Sequence, residues 1–383
     1  MDVEARFFEI LKRLADTPGV SGFEDEIRRI IIDELKPLVD EVRVDKFGNV
    51  IGVKRGKKDY KVMVAAHMDE IGLMVTHIDK RGFLRFIGVG GWSNRILPGQ
   101  RVIVHGDKGP VRGVIGVKPP HLETPEEAKQ VIDMTKMFID IGVSSREEAE
   151  KLGVRPGCVI TLDRELVRLA GSRFTGKSFD DRVGVAVMVY ALELLKDADI
   201  DANVYAVATV QEEVGLRGAT VSAYAINPDI GIAIDVTTAS DVPGVEEKDW
   251  VTQLGKGPAI KVMDGARTGA TRFISHPAIF ELLRRAAEEE GIPYEEEGEW
   301  IKVSDPLPYP RFERAVKKCV RSGGAMVKRD PSRIEIKFES TGALDCNDIL
   351  IMAVDELIKK LNEFERLLRE QGSRAQSFKE DRG

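Results

Sequence analysis

The sequence predicts an α/β fold with a mixed sheet, interrupted by an inserted small β domain of barrel-like texture and followed by an atypical α+β C-terminal segment. Three observations predict it. Apolar runs of strand length alternate with amphipathic helical stretches on both sides of the interruption. From Ile71 to about Ala170 the texture becomes short strands punctuated by Gly and Pro. Beyond about Glu297 it changes again. The implied division is residues 1–70 with 169–297 as one discontinuous α/β domain, 71–168 as the insertion, 298–371 as the C-terminal segment, and 372–383 as a disordered tail.

Taken in order, Phe7, Ile10, Leu11 and Leu14 recur at helical spacing, and FEDEIRRIIIDELKPLV follows the TPGVSG turn as a second amphipathic helix. Both are expected to cover a sheet. EVRVDKFGNVIGVKRG reads as two strands joined at Gly48-Asn49, and YKVMVAA as a nearly continuous apolar strand that ends at His67-Met68-Asp69. In the insertion, IGLMVTHI, FLRFIGVG, RVIVHG, GPVRGVIGV and CVITL read as strands and SSREEAEKLG as a capped helix.

SFDDRVGVAVMVYALELLK then predicts a helix whose first turn is stabilised by its acids. NVYAVATVQEE and, after a helical stretch, DIGIAIDVT complete a β-α-β rhythm with acids at the strand ends. HPAIFELLRRAAEEEG predicts a helix, IPYEEE and RIEIKFES predict strands, and DILIMAVDELIKKLNEFERLLRE predicts a long terminal helix after the proline-punctuated DPLPYPRFERAV.

Bulk properties narrow the function classes. A net charge of -7, from 57 Lys plus Arg against 64 Asp plus Glu, argues against a surface that tracks nucleic-acid phosphates. Three widely separated cysteines fit a reducing compartment, and no apolar run approaches 18 residues, so a cytoplasmic protein without a membrane partner is expected. The charged fraction of 32% suits the ion-pair networks of a thermophile.

Chemistry-bearing residues stand at the ends of the apolar elements: His67, Asp180, Glu212 with Glu213, and Asp235. In an open α/β sheet, ligands bind beyond the carboxyl ends of the strands. Each residue alone has an ordinary explanation as a core histidine, a helix cap or a loop acid. Together, one imidazole and several carboxylates suit Zn, Co or Mn. Asp69, two residues after His67, is placed to hydrogen-bond the ring and fix its tautomer.

These residues lie in motifs, HMDEIGLMVTHI, KSFDDRVG, ATVQEEVGLRGA, AIDVT with DVPG, and GKGPAIKVMD, that resemble the TET-type dinuclear metallo-aminopeptidases, which include deblocking and glutamyl aminopeptidases. The resemblance spans about residues 5–297. It implies His67 as a ligand of one metal, Asp180 as the carboxylate bridging both, and Asp235 as a further ligand of the His67 metal. It also implies Glu213 as a ligand of the other metal and Glu212 as the general base. If both glutamates lie on the strand, alternation sends their side chains to opposite faces, so that Glu213 holds a metal while Glu212 faces the water.

The implied cofactors are two divalent ions per subunit, Zn or Co with Mn also suitable. The implied substrates are short peptides trimmed from the amino terminus. The insertion corresponds to the surface through which these enzymes form dimers on the way to a hollow tetrahedral dodecamer.

The sequence departs from this pattern after IPYEEE, where the relatives carry a Gly-Gly-Thr-Asp-Ala segment and later a His-Ser pair whose histidine completes the Glu213 metal. Neither is present, and the five histidines, His67, His77, His105, His121 and His276, all lie upstream. A second metal site short of one ligand, and impaired activity, are therefore expected. Residues about 303–372, chiefly FESTGAL and the following helix, resemble instead the C-terminal part of an assembly subunit of archaeal RNA polymerase, which implies a surface for pairing with another polypeptide. The alternatives to a peptidase are thus a non-catalytic assembly protein and a glycoside hydrolase using Glu212 and Glu213. The latter needs carboxyls about 5–9.5 Å apart across a scissile bond.

Overall fold

A computed structural model describes residues 3–264, 273–297, 326–330 and 333–337. The proline-punctuated stretch, the long terminal helix and the tail expected from the sequence lie outside the described residues. The chain forms two compact units, Met1–Thr238 and Ala239–Gly383.

In the first unit, helices α1 (Val3–Asp16) and α2 (Asp25–Leu35) precede strands β1 (Glu41–Val44), β2 (Val50–Lys54) and β3 (Lys61–His67). Six strands, β4 (Gly72–Ile78), β5 (Leu84–Val89), β6 (Arg101–Gly106), β7 (Gly109–Gly116), β8 (Phe138–Asp140) and β9 (Val159–Leu162), then close a barrel in the order β4-β5-β8-β7-β6-β9. Helix α3 (Arg146–Lys151) precedes β9 and is capped by the Ser145 side chain, which accepts from the Glu148 N–H. Leu73, Val75, Phe86, Val104, Ile139 and Ile160 fill the barrel interior, giving it a core of its own. Strand β8 escaped the sequence reading because three residues are too few to display an alternation.

The chain returns through the short pair β10 (Val167–Arg168) and β11 (Phe174–Thr175) to α4 (Phe179–Leu194), β12 (Asn203–Thr209), α5 (Arg217–Ile226) and β13 (Ile230–Ala233). The main sheet runs β1-β2-β12-β3-β13 and is mixed: β12 and β13 are parallel to β3, whereas β2 is antiparallel to β12 and to β1. Alternation along β3 sends Val64 and Ala66 toward Ile10, Leu14, Ile31 and Val189 of the helices on one face. Met63 and Ala65 point the other way, toward Ile226 at the end of α5. The register pairs His67 of β3 with Thr209 of β12. The carboxyl ends of these parallel strands therefore lie side by side, and Asp235 follows the end of β13 at the same edge.

The second unit contains β14 (Ala259–Lys261), β15 (Met263–Asp264), β16 (Phe273–Ile274), α6 (Pro277–Glu289), β17 (Glu295–Glu297), β18 (Met326–Asp330) and β19 (Arg333–Lys337). β14 pairs with β17, β15 with β16, and β18 with β19. His276 is the N-cap of α6, its Nδ1 accepting the Ala278 N–H at 3.3 Å. Among the described residues no helix is long and apolar enough to cross a membrane.

Candidate active site

His67 is 3% exposed at the last position of β3. Its Nδ1 lies 3.1 Å from the Asp69 carbonyl oxygen, an acceptor only, so Nδ1 carries a proton and Nε2 is the atom left to bind something else. Nε2 faces Asp180 Oδ1 at 2.8 Å and Glu212 Oε2 at 3.7 Å. His67, Asp180 and Asp235 offer one ligand atom each within 4.8 Å of one another, and so do His67, Glu212 and Glu213. The six-residue set named from sequence thus converges around one imidazole.

Two local expectations need correction. Glu212 and Glu213 are not on a strand, because β12 ends at Thr209. Gln211 has φ +54°, and the N–H groups of Gly215 and Leu216 close a turn on the Glu212 carbonyl at 2.8 and 2.9 Å. Turn geometry, not strand alternation, therefore aims the two carboxylates. Asp180 and Asp181 likewise do not sit in a helical first turn: their ψ angles of 106° and 42° depart from the helix. Asp181 instead precedes the first regular turn of α4, its Oδ1 accepting the Gly184 N–H at 3.0 Å and its Oδ2 the His67 N–H at 3.2 Å. This frees Asp180 to point at the ring.

Asp69 does more than the sequence suggested. Its carboxylate stands 3.5 Å from His67 Nδ1, and it accepts the N–H groups of Glu212 at 3.0 Å and Glu213 at 3.2 Å and the Ser21 hydroxyl at 2.6 Å. Asp69 therefore ties the glutamate turn to the end of β3. Buried Glu24 accepts the Gln211 N–H at 3.3 Å, and wholly buried Asn49 accepts the Val210 N–H at 3.0 Å and donates to the Gly218 carbonyl at 3.1 Å. Sequence reasoning missed Ser21, Glu24, Asn49 and Asp181.

The electrostatics are those of a site with too much negative charge. Burial, then the Asp180 carboxylate, pushes Glu213 up to about 7. Burial, offset by His67 and reinforced by Asp235, pushes Asp181 up to about 8. Burial also raises Glu212. Burial would lower His67, but hydrogen bonds to Asp180 and Asp69 outweigh it and hold the ring at about 11. Burial would raise Asp69, yet its bonds to His67, Ser21 and the Glu212 N–H leave it lowered. An imidazole nitrogen and a carboxylate oxygen 2.8 Å apart need positive charge between them, either a proton or a cation. One imidazole with oxygens of several acids, among them Glu213 pushed up to about 7, is a donor set that a divalent ion fits.

The pattern of the M42 glutamyl aminopeptidase family matches residues 48–305. The chain belongs to that family. It is a peptide hydrolase of the aminopeptidase class, and the family is metal-dependent. The lysyl aminopeptidase of Pyrococcus furiosus is 46% identical over 259 residues, covering 67% of this chain and 73% of the relative. Among solved structures, an aminopeptidase of the archaeon Desulfurococcus kamchatkensis is 48% identical with a TM-score of 0.73, over 77% of this chain and 80% of that one. The TET1 peptidase of Pyrococcus horikoshii, described as able to assemble into a tetrahedron or a large octahedral shell, is 35% identical with a TM-score of 0.64, over 76% and 84%. The polymerase resemblance of residues about 303–372 is not shown by these comparisons, and the assembly-protein reading gains no support. A Thermotoga maritima structure described as an endoglucanase is 36% identical with a TM-score of 0.62, over 75% of this chain and 83% of that one, but the matched family is one of aminopeptidases.

Because Glu213, Asp181 and His67 all bind protons more tightly in the metal-free folded chain than in the unfolded one, that folded chain loses stability as pH rises. The carboxyl contributions are present below the ordinary carboxylate range and are lost by about pH 7–8, and the histidine contribution falls further above its ordinary value. A metal-stripped sample should thus show a thermal midpoint that declines from pH 5 to pH 8, with added divalent ion raising it most at the upper end. A midpoint that is flat, or that rises with pH in stripped protein, would contradict this charge balance.

Proposed function

We propose that the protein removes N-terminal residues from short peptides, with His67, Asp180 and Asp235 holding one divalent ion, Asp180 and Glu213 contributing to a second, and Glu212 acting as general base. Zn or Co is the expected metal, with Mn compatible with the same donors. The observation that carries the reading is the convergence of Asp180, Asp235, Glu212 and Glu213 oxygens on His67 at the carboxyl edge of the parallel strands. When bound, divalent ions polarise a scissile carbonyl and lower the pKa of bound water. Glu212, whose carboxyl burial raises above its ordinary value, would take a proton from the attacking water and pass it to the leaving amine. Asp69 holds the backbone of Glu212 and Glu213 in place for this.

Residues 1–70 with 169–297 would form the catalytic domain and 71–168 the dimerisation domain. A homo-oligomer of tetrahedral type is the assembly this implies, supported by the family and by the shells described for the Pyrococcus horikoshii relative. Hydrolysis of aminoacyl-p-nitroanilides tests the activity. It should disappear on chelation and return with Zn2+ or Co2+. Activity that survives exhaustive chelation would sink the reading.

A further inference from the structure

We propose that the buried ion cluster of Glu70, Lys177 and Arg182 is a positioning device that fixes the spacing between the segments carrying His67 and Asp180; this rests on the reading of those two residues as metal ligands. Glu70 follows His67 by three residues, and Lys177 precedes Asp180 by three. Glu70 is 3% exposed, and its oxygens receive the Lys177 ammonium at 2.9 and 3.0 Å, the Ser178 hydroxyl, and the Gly19 N–H at 3.0 Å. Arg182 is wholly buried, and its Nη1 donates to the carbonyls of Leu14 and Thr17. Its Nη2 stands 3.9 Å from Glu70, and Nη2 and Nε have no hydrogen-bond partner.

The segment between Lys177 and Arg182 is where such a device is needed. Ser178 sits at φ +61°, and Asp180 and Asp181 lie outside helical geometry, so the Asp180 backbone is spanned by the single bond from the Arg182 N–H to the Ser178 carbonyl at 3.2 Å rather than set by regular helical dihedrals. Side-chain anchors stand on either side: Lys177 and Ser178 upstream on Glu70, and Arg182 downstream on the end of α1. Between them, Asp181 grips the His67 N–H. The same Glu70 holds the 19–21 loop through Gly19, and Ser21 of that loop bonds Asp69. There is no slack in this packing. A Cβ added at Gly19 would stand 2.7 Å from Arg182 Nη2 and 2.6 Å from Ile27 Cγ2.

Lys177→Met removes both ammonium bonds to Glu70 and leaves that carboxylate with the Ser178 hydroxyl, the Gly19 N–H and Arg182 at 3.9 Å. The thermal midpoint of the full-length protein should therefore fall, because removing one partner of a buried ion pair is destabilising. Co2+ affinity, read from the visible absorption of the bound ion in competition with a chelator, should fall by about 10- to 100-fold, as for other lost supports of metal ligands. kcat should fall with little change in KM. Ser178→Ala removes one bond to Glu70 without altering charge, and should shift Co2+ affinity in the same direction by a smaller factor, keeping the test decisive if Lys177→Met does not fold. Co2+ affinity equal to the unaltered chain in whichever variants fold would overturn the positioning role alone. An unaltered chain that binds no Co2+, or one whose binding is indifferent to His67→Ala, would overturn the ligand reading as well.

Discussion

Glu212→Gln is expected to lower kcat by about 10²–10⁴-fold while leaving the metal content of the purified protein nearly intact. On the barrier this is roughly 3–5 kcal/mol. The amide keeps the shape of the side chain and leaves the Glu212 N–H on Asp69, so the turn that presents residues 212 and 213 should persist. What it cannot do is accept the proton of the attacking water. Burial raises the Glu212 carboxyl above its ordinary value, which brings its basicity nearer to that of a base working at neutral pH. Single-turnover hydrolysis together with metal analysis separates the outcomes. A variant that loses metal in proportion to its rate would make Glu212 a ligand, a role its oxygen 3.7 Å from His67 Nε2 leaves geometrically open.

The parts of this centre that were legible in the sequence are those written in local patterns. Apolar strands ending in His67 and shortly before Glu212 and Asp235 announced an α/β fold with a mixed sheet and chemistry at one edge, because a strand's carboxyl end is visible where its hydrophobic run stops. The barrel was legible too, in the spacing of Gly and Pro among short strands. What the sequence concealed depends on contacts made over long separations.

Nothing around Asn49 signals that it will clasp Val210 and Gly218, or around Ser21 that it will reach Asp69. The strand-face argument for Glu212 and Glu213 failed because a residue with positive φ, Gln211, breaks the extended path before either glutamate is reached. Similarly, acids ahead of an apolar stripe read as a helix start stabilised by the dipole. Here one of them, Asp181, is committed to capping and to the His67 backbone, and the other is turned away from the helix altogether. In both places backbone irregularity accompanies the side chains proposed to hold metal, as expected where tertiary demands override local preference.

Asp180→Asn should produce the largest loss of bound metal. Asp180 Oδ1 is 2.8 Å from His67 Nε2, and Asp180 shares a donor group with His67 and Asp235 while its charge acts directly on Glu213. A carboxylate so placed can neutralise and orient two cations, and an amide can do neither well. Asp235→Asn should weaken chiefly the His67 position, which would still keep His67 and Asp180. The donor count also sets the stoichiometry. Among the described residues, His67, Asp180 and Asp235 would supply three protein ligands, the number usual for a catalytic zinc site, whereas Asp180 and Glu213 would supply two.

The unaltered chain is therefore expected to retain closer to one ion than two after desalting, with activity rising when excess metal fills the weaker position. Asp180→Asn should retain close to none. Metal analysis per chain, before and after dialysis against a weak chelator, reads all three quantities. Equal and independent losses in the Asp180 and Asp235 variants would count against a bridging role. Two tightly held ions in the unaltered chain would mean that a further residue completes the Glu213 position, and full activity without added metal would then follow from the same site.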